Sequence, residues 1–509
     1  MSPTLPRQIR SIAVIVCLFY LSPLPMAIGA NKDSDEKRIA LGANARPNIV
    51  FILADDMSWY GTDVKMQSDF APSAGRTRRT PSINALAKQG MTFSRSFSPA
   101  GMCAPSRCSI QTGMSAARTK FSGNGNFGVI SREVTYNGRR NAGKLMLEPS
   151  PLGNLASQHA TIGERLKSLG YATAHVGKWH IYGGGPEKRG YDISDGETSN
   201  DDGNSNDSND PKKIFSMTAK AISFIEQQSK ADKPFFVQLS HYAEHNAVQF
   251  RPETLQACLE DEDIRNIQPV GLRKRVASRS AMVEDMDTSI GQLLSKLDEL
   301  GIRDNTYIVF TSDNGHHRDT GEEKVLRGSK WWLWEGGIRV PMIVAGPGIN
   351  PNSRCNSNVV GYDFLPTFVE IGGGDVDELA PSIDGVSLLP LFTGENSSVW
   401  ADRHLFFHYP HHRNSAMHSA VVQGDYKFFR FYERPSTRYL YDLDRNIGES
   451  KNIANIQPEI AEKLGSAMND YFAEVDASLP KPNPKPDPNY VPFDPDAPQR
   501  GCHNHLKPR

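Results

Sequence analysis

Cys103 opens the segment Cys103-Ala104-Pro105-Ser106-Arg107, and Thr112-Gly113 follows shortly after. Cysteine, proline, serine and arginine at these spacings would arise by chance in about one chain in a thousand at average residue usage. Cys103 is therefore the candidate for covalent chemistry, with Arg107 one helical turn beyond it. Two other motifs, Asp55-Asp56 and Asp313-Asn314, supply only oxygen donors. Hard ligands of this kind suit Ca²⁺ or Mg²⁺ and not zinc. Their three carboxylates together would offset a divalent cation and one Lys or Arg, and adjacent carboxylates would repel strongly if nothing bound them. Gly177-Lys178-Trp179-His180 sets a cation and an imidazole two residues apart, which in an extended segment turns both to one side. Histidine is suited to proton exchange near neutral pH. His241 and His245 supply two more imidazoles, and residue type alone leaves both open as a general acid.

Short apolar, β-branched runs must position these residues. They are Asn48–Leu53, Tyr171–Val176, Pro234–Leu239, Thr306–Thr311 and Val340–Ala345, and they alternate with helical patterns at Pro81–Lys88, Thr161–Leu169, Ile214–Gln227 and Met282–Leu300. Continuous apolarity over such lengths predicts strands buried on both faces, and the alternation predicts an α/β fold with a mostly parallel sheet. Four of the runs lead directly into the polar motifs. In open α/β sheets ligands bind beyond the carboxyl ends of the strands, so the motifs are expected to converge on one rim. After about residue 395 the pattern changes to short strands, Ser419–Val422 and Tyr426–Phe431, then a helix at Pro458–Val475. The expected division is a leader at 1–30, a catalytic domain at 31–395, a C-terminal subdomain at 396–479 and a Pro-rich tail at 480–509. The tail is expected as an extended strap. The polar stretch Ser194–Pro211 is expected as a mobile loop.

Composition excludes several classes. The chain has 509 residues, 38% of them hydrophobic, ample for a large core. Its net charge of −1 gives no global field for nucleic acid or an anionic membrane. Arg7 and Arg10 precede the apolar run Ile12–Leu21, which Pro23 and Pro25 interrupt before Ala27, Gly29 and Ala30. That is a secretory signal pattern, too short to span a bilayer, and it predicts a secreted or periplasmic chain with no membrane span after cleavage. Export would let cysteines pair. With Cys103 set aside for chemistry, Cys108, Cys258, Cys355 and Cys502 permit three two-disulfide pairings.

Cys103-x-Pro-Ser-Arg107 followed by Thr-Gly resembles the signature of the sulfatases. The resemblance extends from about Arg46 to Leu479 through six motifs in the family's order, including Gly177-Lys-Trp-His180 and Glu335-Gly-Gly-Ile-Arg-Val-Pro341. It implies an alkaline-phosphatase-like large mixed, mostly parallel sheet between helices, with a smaller C-terminal subdomain of antiparallel sheet plus helix. It also implies that Cys103 is converted to formylglycine by a formylglycine-generating enzyme. The hydrated aldehyde would attack sulfur with one hydroxyl, and the second would expel sulfate by collapse. Arg107 and Lys178 would then contact the hydrate, and His180 would deprotonate it. Lys330, in Leu326-Arg-Gly-Ser-Lys330, would grip the sulfate, and Asp55, Asp56, Asp313 and Asn314 would hold Ca²⁺. His241-Tyr-Ala-Glu-His245 departs from the family's Asn-Ala-Pro-His by carrying Glu244 at the proline. There His245 is the better match for the acid that protonates the leaving alcohol. The implied substrate is a sulfated carbohydrate. Arg139, Arg140, Lys144, His316, His317, His408, His411 and His412 form the expected polar rim. The rivals are a phosphonate monoester or phosphodiester hydrolase with the same site, and a non-catalytic binder of sulfated glycan with unconverted Cys103.

Overall fold

A computed structural model describes Met1 and residues 46–123, 142–318, 325–379, 382–394 and 399–497. The leader, Arg139, Arg140 and Cys502 lie outside the described residues. Eight strands form the main sheet: β1 (Asn48–Ala54), β2 (Met91–Phe93), β3 (Ala172–Gly177), β4 (Ile193–Ser194), β5 (Phe235–Ser240), β6 (Thr306–Ser312), β7 (Met342–Ala345) and β8 (Ser353–Cys355). Their order is β8-β2-β7-β6-β1-β5-β3-β4. All neighbours are parallel except β7, which runs opposite to β2 and β6. That reversal explains why the run at 340–345, alone of the five, leads into no polar motif.

β1 is buried along its whole length because both faces of the sheet are covered. Val50, Ile52 and Ala54 pack on one side with residues of α4 (Ile214–Lys230) and α5 (Val270–Glu299), among them Phe224, Met286 and Leu293. Ile49, Phe51 and Leu53 face α2 (Cys103–Thr112), α3 (Ile162–Ser168) and α6 (Phe364–Ile371) through Cys108, Leu166 and Phe368. α1 (Pro81–Gln89) covers the first side with Ile83 and Leu86. Burial of each such side chain contributes roughly 1.5–3 kcal/mol. α3 starts where Thr161 and Glu164 form a reciprocal capping box. α5 begins twelve residues before the expected Met282. Its early turns are largely polar, and Val276, Ala277 and Ala281 meet only a small separate cluster with Cys258 and Ile264.

The second sheet joins β9 (Leu405–Tyr409), β10 (His418–Gln423), β11 (Tyr426–Phe431) and β12 (Tyr439–Asp442) in antiparallel sequence order. Alternation along its strands feeds two cores. Val421, Phe428 and Leu440 meet α7 (Pro458–Glu474) through Leu464, Met468 and Phe472. Ala420, Val422, Phe429 and Tyr441 pack against Trp331, Leu333 and Trp334 of the Lys330 segment. The proline-rich tail runs as a strap: Asn483 N donates to Leu145 O at 2.9 Å, and Arg434 Nε to Phe493 O at 2.6 Å.

Two expectations are corrected here. The stretch 194–211 is stitched down, because Gly177 N donates to Asp195 (2.7 Å) and Thr198 accepts from the Trp179 and His180 amides (2.9 and 2.8 Å). Cys108, Cys258 and Cys355 are free buried thiols, so no two-disulfide pairing forms among the four candidates. Cys258 belongs to a different core cluster from Cys108 and Cys355, and its thiol donates to Glu284 at 3.3 Å.

Candidate active site

Strand register brings the motifs together. Leu53 pairs with Ser240 and Ala54 with Ser312, so Asp55, His241 and Asp313 leave the sheet at one level; Gly177 pairs with Ser240 beside them. Gly177 has φ +96°, and a Cβ there would stand 2.1 Å from Ser240 O. Only glycine fits this close approach. Lys178 follows directly on the strand end, and His180 departs from the extended segment expected, being left-handed at φ +63°. Cys103 is the first residue of α2, at the positive end of its dipole. The helix stops at Gly113 with φ +70°, the left-handed cap that the Thr-Gly pair supplies.

Hydrogen bonds and ion pairs link eight of the ten expected site residues in one cluster around Cys103. Its Sγ lies 3.3 Å from Asp55 Oδ1 and 3.5 Å from Asp56 Oδ1, and Lys330 Nζ stands 3.0 Å away. Lys330 also donates to both Asp56 oxygens at 2.6 and 2.8 Å, and Lys178 Nζ to Asp55 Oδ2 at 2.5 Å. Arg107 Nε donates to Asp313 Oδ2 (2.7 Å) and its Nη1 to Lys178 O (2.6 Å), while Nη2 makes no hydrogen bond. Asn314 Nδ2 donates to Asp56 Oδ1 at 2.7 Å. His180 is buried with Nδ1 unpartnered. His245 stands at the edge, its Nε2 3.9 Å from Asp56 Oδ2 and its Nδ1 2.6 Å from Asn246 O. His241 is fully buried, and both its ring nitrogens lack hydrogen bonds. It lies at the core side of its strand end, and no site charge perturbs it.

The donor set fits a hard cation. One oxygen from each of Asp55, Asp56 and Asp313, with Cys103 Sγ, lie within 4.8 Å of one another. Asn314 Oδ1 is buried with no hydrogen-bond partner, an acceptor in want of a positive charge. The three carboxylates are balanced by Arg107, Lys178 and Lys330, so a divalent ion would leave the site two charges positive, which suits an anionic ester. Burial raises the Asp55 carboxyl, but Lys178, His245, Arg107 and Lys330 overcome it and hold the group well below its usual range. Burial, then Asp55, raises Asp313 to about 6. Burial, reinforced by Asp313 and Asp55, pushes the Cys103 thiol well above its usual range. An unmodified Cys103 is thus a protonated thiol and a poor nucleophile.

Several expected rim residues do other work. His408 is buried between Ser419 (2.8 Å) and Ser478 O (3.1 Å). His411 bridges Ser122 and Glu148, and His412 binds Glu148 through its amide. Lys144 reaches Tyr490 of the strap at 3.3 Å. His316 is buried, and its carbonyl anchors the Lys330 amide at 2.8 Å; His317 is half-buried, edge-on to Trp331. Sequence reasoning missed two features. Lys212 is fully buried, donates to Asn204 Oδ1 at 3.2 Å, and forms no ion pair among the described residues. Burial lowers it to about 8, with Asp55 the strongest opposing charge. Arg78 and Glu244 form a buried ion pair at 3.0 Å. Lys212 and Arg78 belong to no motif that the sequence singles out, and Glu244 was marked only as a departure from the family's proline, not as an ion-pair partner.

A doubly covered α/β sheet with a buried cysteine at a helix N-terminus, a carboxylate cluster and buried cations at its strand ends has the alkaline-phosphatase-like fold. Residues 47–374 match the family model described as Sulfatase, and residues 327–475 that described as N-sulphoglucosamine sulphohydrolase, C-terminal. The chain belongs to the sulfatase family and is a sulfuric ester hydrolase. It is 28% identical to a sulfatase of Formosa agariphila over 548 aligned positions, covering 91% of this chain and 94% of that one. It is also 28% identical to N-acetylgalactosamine-6-sulfatase of Canis lupus familiaris, covering 76% and 72%. Among solved structures, Ps i-CgsB in complex with k-i-k-neocarrahexaose shares the fold with a TM-score of 0.67 at 22% identity, over 84% of this chain and 93% of that one.

Proposed function

We propose that the chain is an exported sulfatase of sulfated carbohydrate that acts through a formylglycine made from Cys103 and a calcium ion held by Asp55, Asp56, Asp313 and Asn314. The observation that carries this reading is Cys103 Sγ set among Asp55, Asp56 and Lys330 within 3.5 Å, at a helix N-terminus. Formylglycine supplies a hydrated aldehyde whose hydroxyl is the nucleophile, and calcium supplies positive charge to the sulfate oxygens. This chain's own residues do the rest. Lys178 and Lys330 neutralise charge around the reacting group, and they are strong there because the site excludes water. Arg107 fixes Asp313 through Nε and sets Nη2, which makes no hydrogen bond, 4.0 Å from Asp55 beside Cys103. His180 is held neutral by burial first and by Lys178 second, so it is ready to take a proton. His245 turns Nε2 toward the cluster while Nδ1 is tied to Asn246 O, the placement of an acid for the leaving alcohol; burial lowers the ring to about 4, so it gains its proton only with the anionic ester bound.

The carbohydrate reading is supported by the names of relatives, an N-acetylgalactosamine-6-sulfatase and an enzyme bound to a carrahexaose, and no longer by the histidines of the C-terminal sheet. Export is supported by the signal pattern of residues 1–30. Hydrolysis of sulfated mono- and oligosaccharides, a steroid sulfate and a phosphonate monoester, read as release of the alcohol, tests the reading. The highest specificity constant belongs to a saccharide; a highest value for the steroid or the phosphonate overturns it.

A further inference from the structure

We propose that Glu244, through its buried pair with Arg78, is the positioning residue that holds His245 over the reacting ester, an inference that rests on the reading of His245 as general acid. Three residues, Asp55, Arg279 and Arg78, fix the segment before and after that histidine. Asp55 N donates to Ala243 O at 2.8 Å and Glu244 N to Asp55 O at 2.5 Å, so the backbone just before His245 is bonded both ways to a residue of the carboxylate cluster. Arg279, from α5, donates to Glu244 O at 3.2 Å and to Asn246 Oδ1 at 2.8 Å, bracketing His245 on both sides. The Glu244 carboxylate, 2% exposed, accepts from Arg78 Nη2 at 3.0 Å, and Arg78 is 1% exposed. A charge pair this deep is a costly way to fasten a loop, and an apolar pair would serve stability as well or better. What the ion pair adds is direction: a planar guanidinium and a carboxylate lock one geometry. The beneficiary is His245, which is half-buried, with Nδ1 hydrogen-bonded to Asn246 O at 2.6 Å and Nε2 3.9 Å from Asp56. A proton donor must sit within about 3 Å of the oxygen it serves, so a small rotation of this loop removes its effect while leaving the Cys103 cluster in place.

The experiment measures kcat on nitrophenyl sulfate, whose phenolate leaves without much proton help, and on a sulfated sugar, whose alkoxide does not. Glu244→Gln and Arg78→Lys are compared with His245→Ala. Both positioning variants are expected to lose roughly 10- to 100-fold on the sugar sulfate and much less on nitrophenyl sulfate, the same pattern as His245→Ala at smaller amplitude. The double variant is expected to be no worse than the weaker single. Equal losses on the two substrates, no loss on either, or failure of both variants to fold would each reduce the pair to scaffold and overturn the proposal. The His245 reading is judged separately on His245→Ala: if that variant loses equally on both substrates, the acid assignment itself fails and takes this inference with it.

Discussion

Lys427→Met probes the junction that carries Lys330. Lys427 is fully buried on β11, 2.8 Å from Glu335 and 3.0 Å from Glu449, and Arg339 completes the set by pairing with Glu335 at 2.5 Å. Two acids and two bases balance. Glu449 also accepts from the Glu335 amide at 2.7 Å, so the cluster pins the turn just beyond the Trp331–Trp334 segment. Removing Lys427 leaves one buried negative charge uncompensated, a loss of about 3–5 kcal/mol. Burial already raises Glu449 to about 7, against the opposing pull of Lys427, so in the variant it rises further and takes up a proton. At pH 6 Glu449 is already mostly protonated, so the cost there falls to about 1–2 kcal/mol and approaches the full value only at pH 8. A carboxyl whose folded pKa is raised loses stabilisation as pH climbs through that pKa, so the cost is larger at pH 8 than at pH 6. Urea unfolding of wild type, Lys427→Met and Lys427→Met/Glu449→Gln at both pH values reads this directly. The double variant, neutral again, should recover at least half the loss. A single-variant cost below about 1 kcal/mol, or a double variant no better than the single, would refute the charge-balance argument.

Chelation should abolish sulfate release, and Ca²⁺ should restore it better than Zn²⁺ because the ligands are oxygen only; better rescue by zinc would mean Asp55, Asp56, Asp313 and Asn314 are misassigned. Burial depresses His408 to about 4 and His418 to about 3, so the unfolded chain binds protons that the folded chain refuses between those values and about 6.5. Stability should therefore fall as pH drops from 7 to 5, by on the order of 2 kcal/mol for each ring, and His418→Phe should flatten that slope; a slope unchanged by the substitution would contradict it.

The strand ends were legible because buried parallel strands are written as unbroken apolar runs, and β1, β3, β5 and β6 each lead straight into their motifs. Their pairing was not, since nothing local states that Leu53 lies beside Ser240 or Ala54 beside Ser312. Likewise the approach of Gly177 to the Ser240 carbonyl is a contact made across the sheet. His408, His411 and His412 read as a polar rim because imidazoles carry no local mark of burial. Glu148 and Ser478, which hold them, are far away in sequence. The same distance hid Arg78 from Glu244 and Arg279. Four site motifs announced themselves by composition; the side chains that orient them did not.

The account turns on what stands at position 103. Mass spectrometry of the tryptic peptide Ser96–Arg107, taken from active protein and treated with a thiol alkylator, tests it most directly. The expected peptide carries an aldehyde in place of the thiol, resists alkylation and reacts with a hydrazide probe, in proportion to specific activity across preparations. Fully active protein whose Cys103 is quantitatively alkylated as a thiol would contradict it.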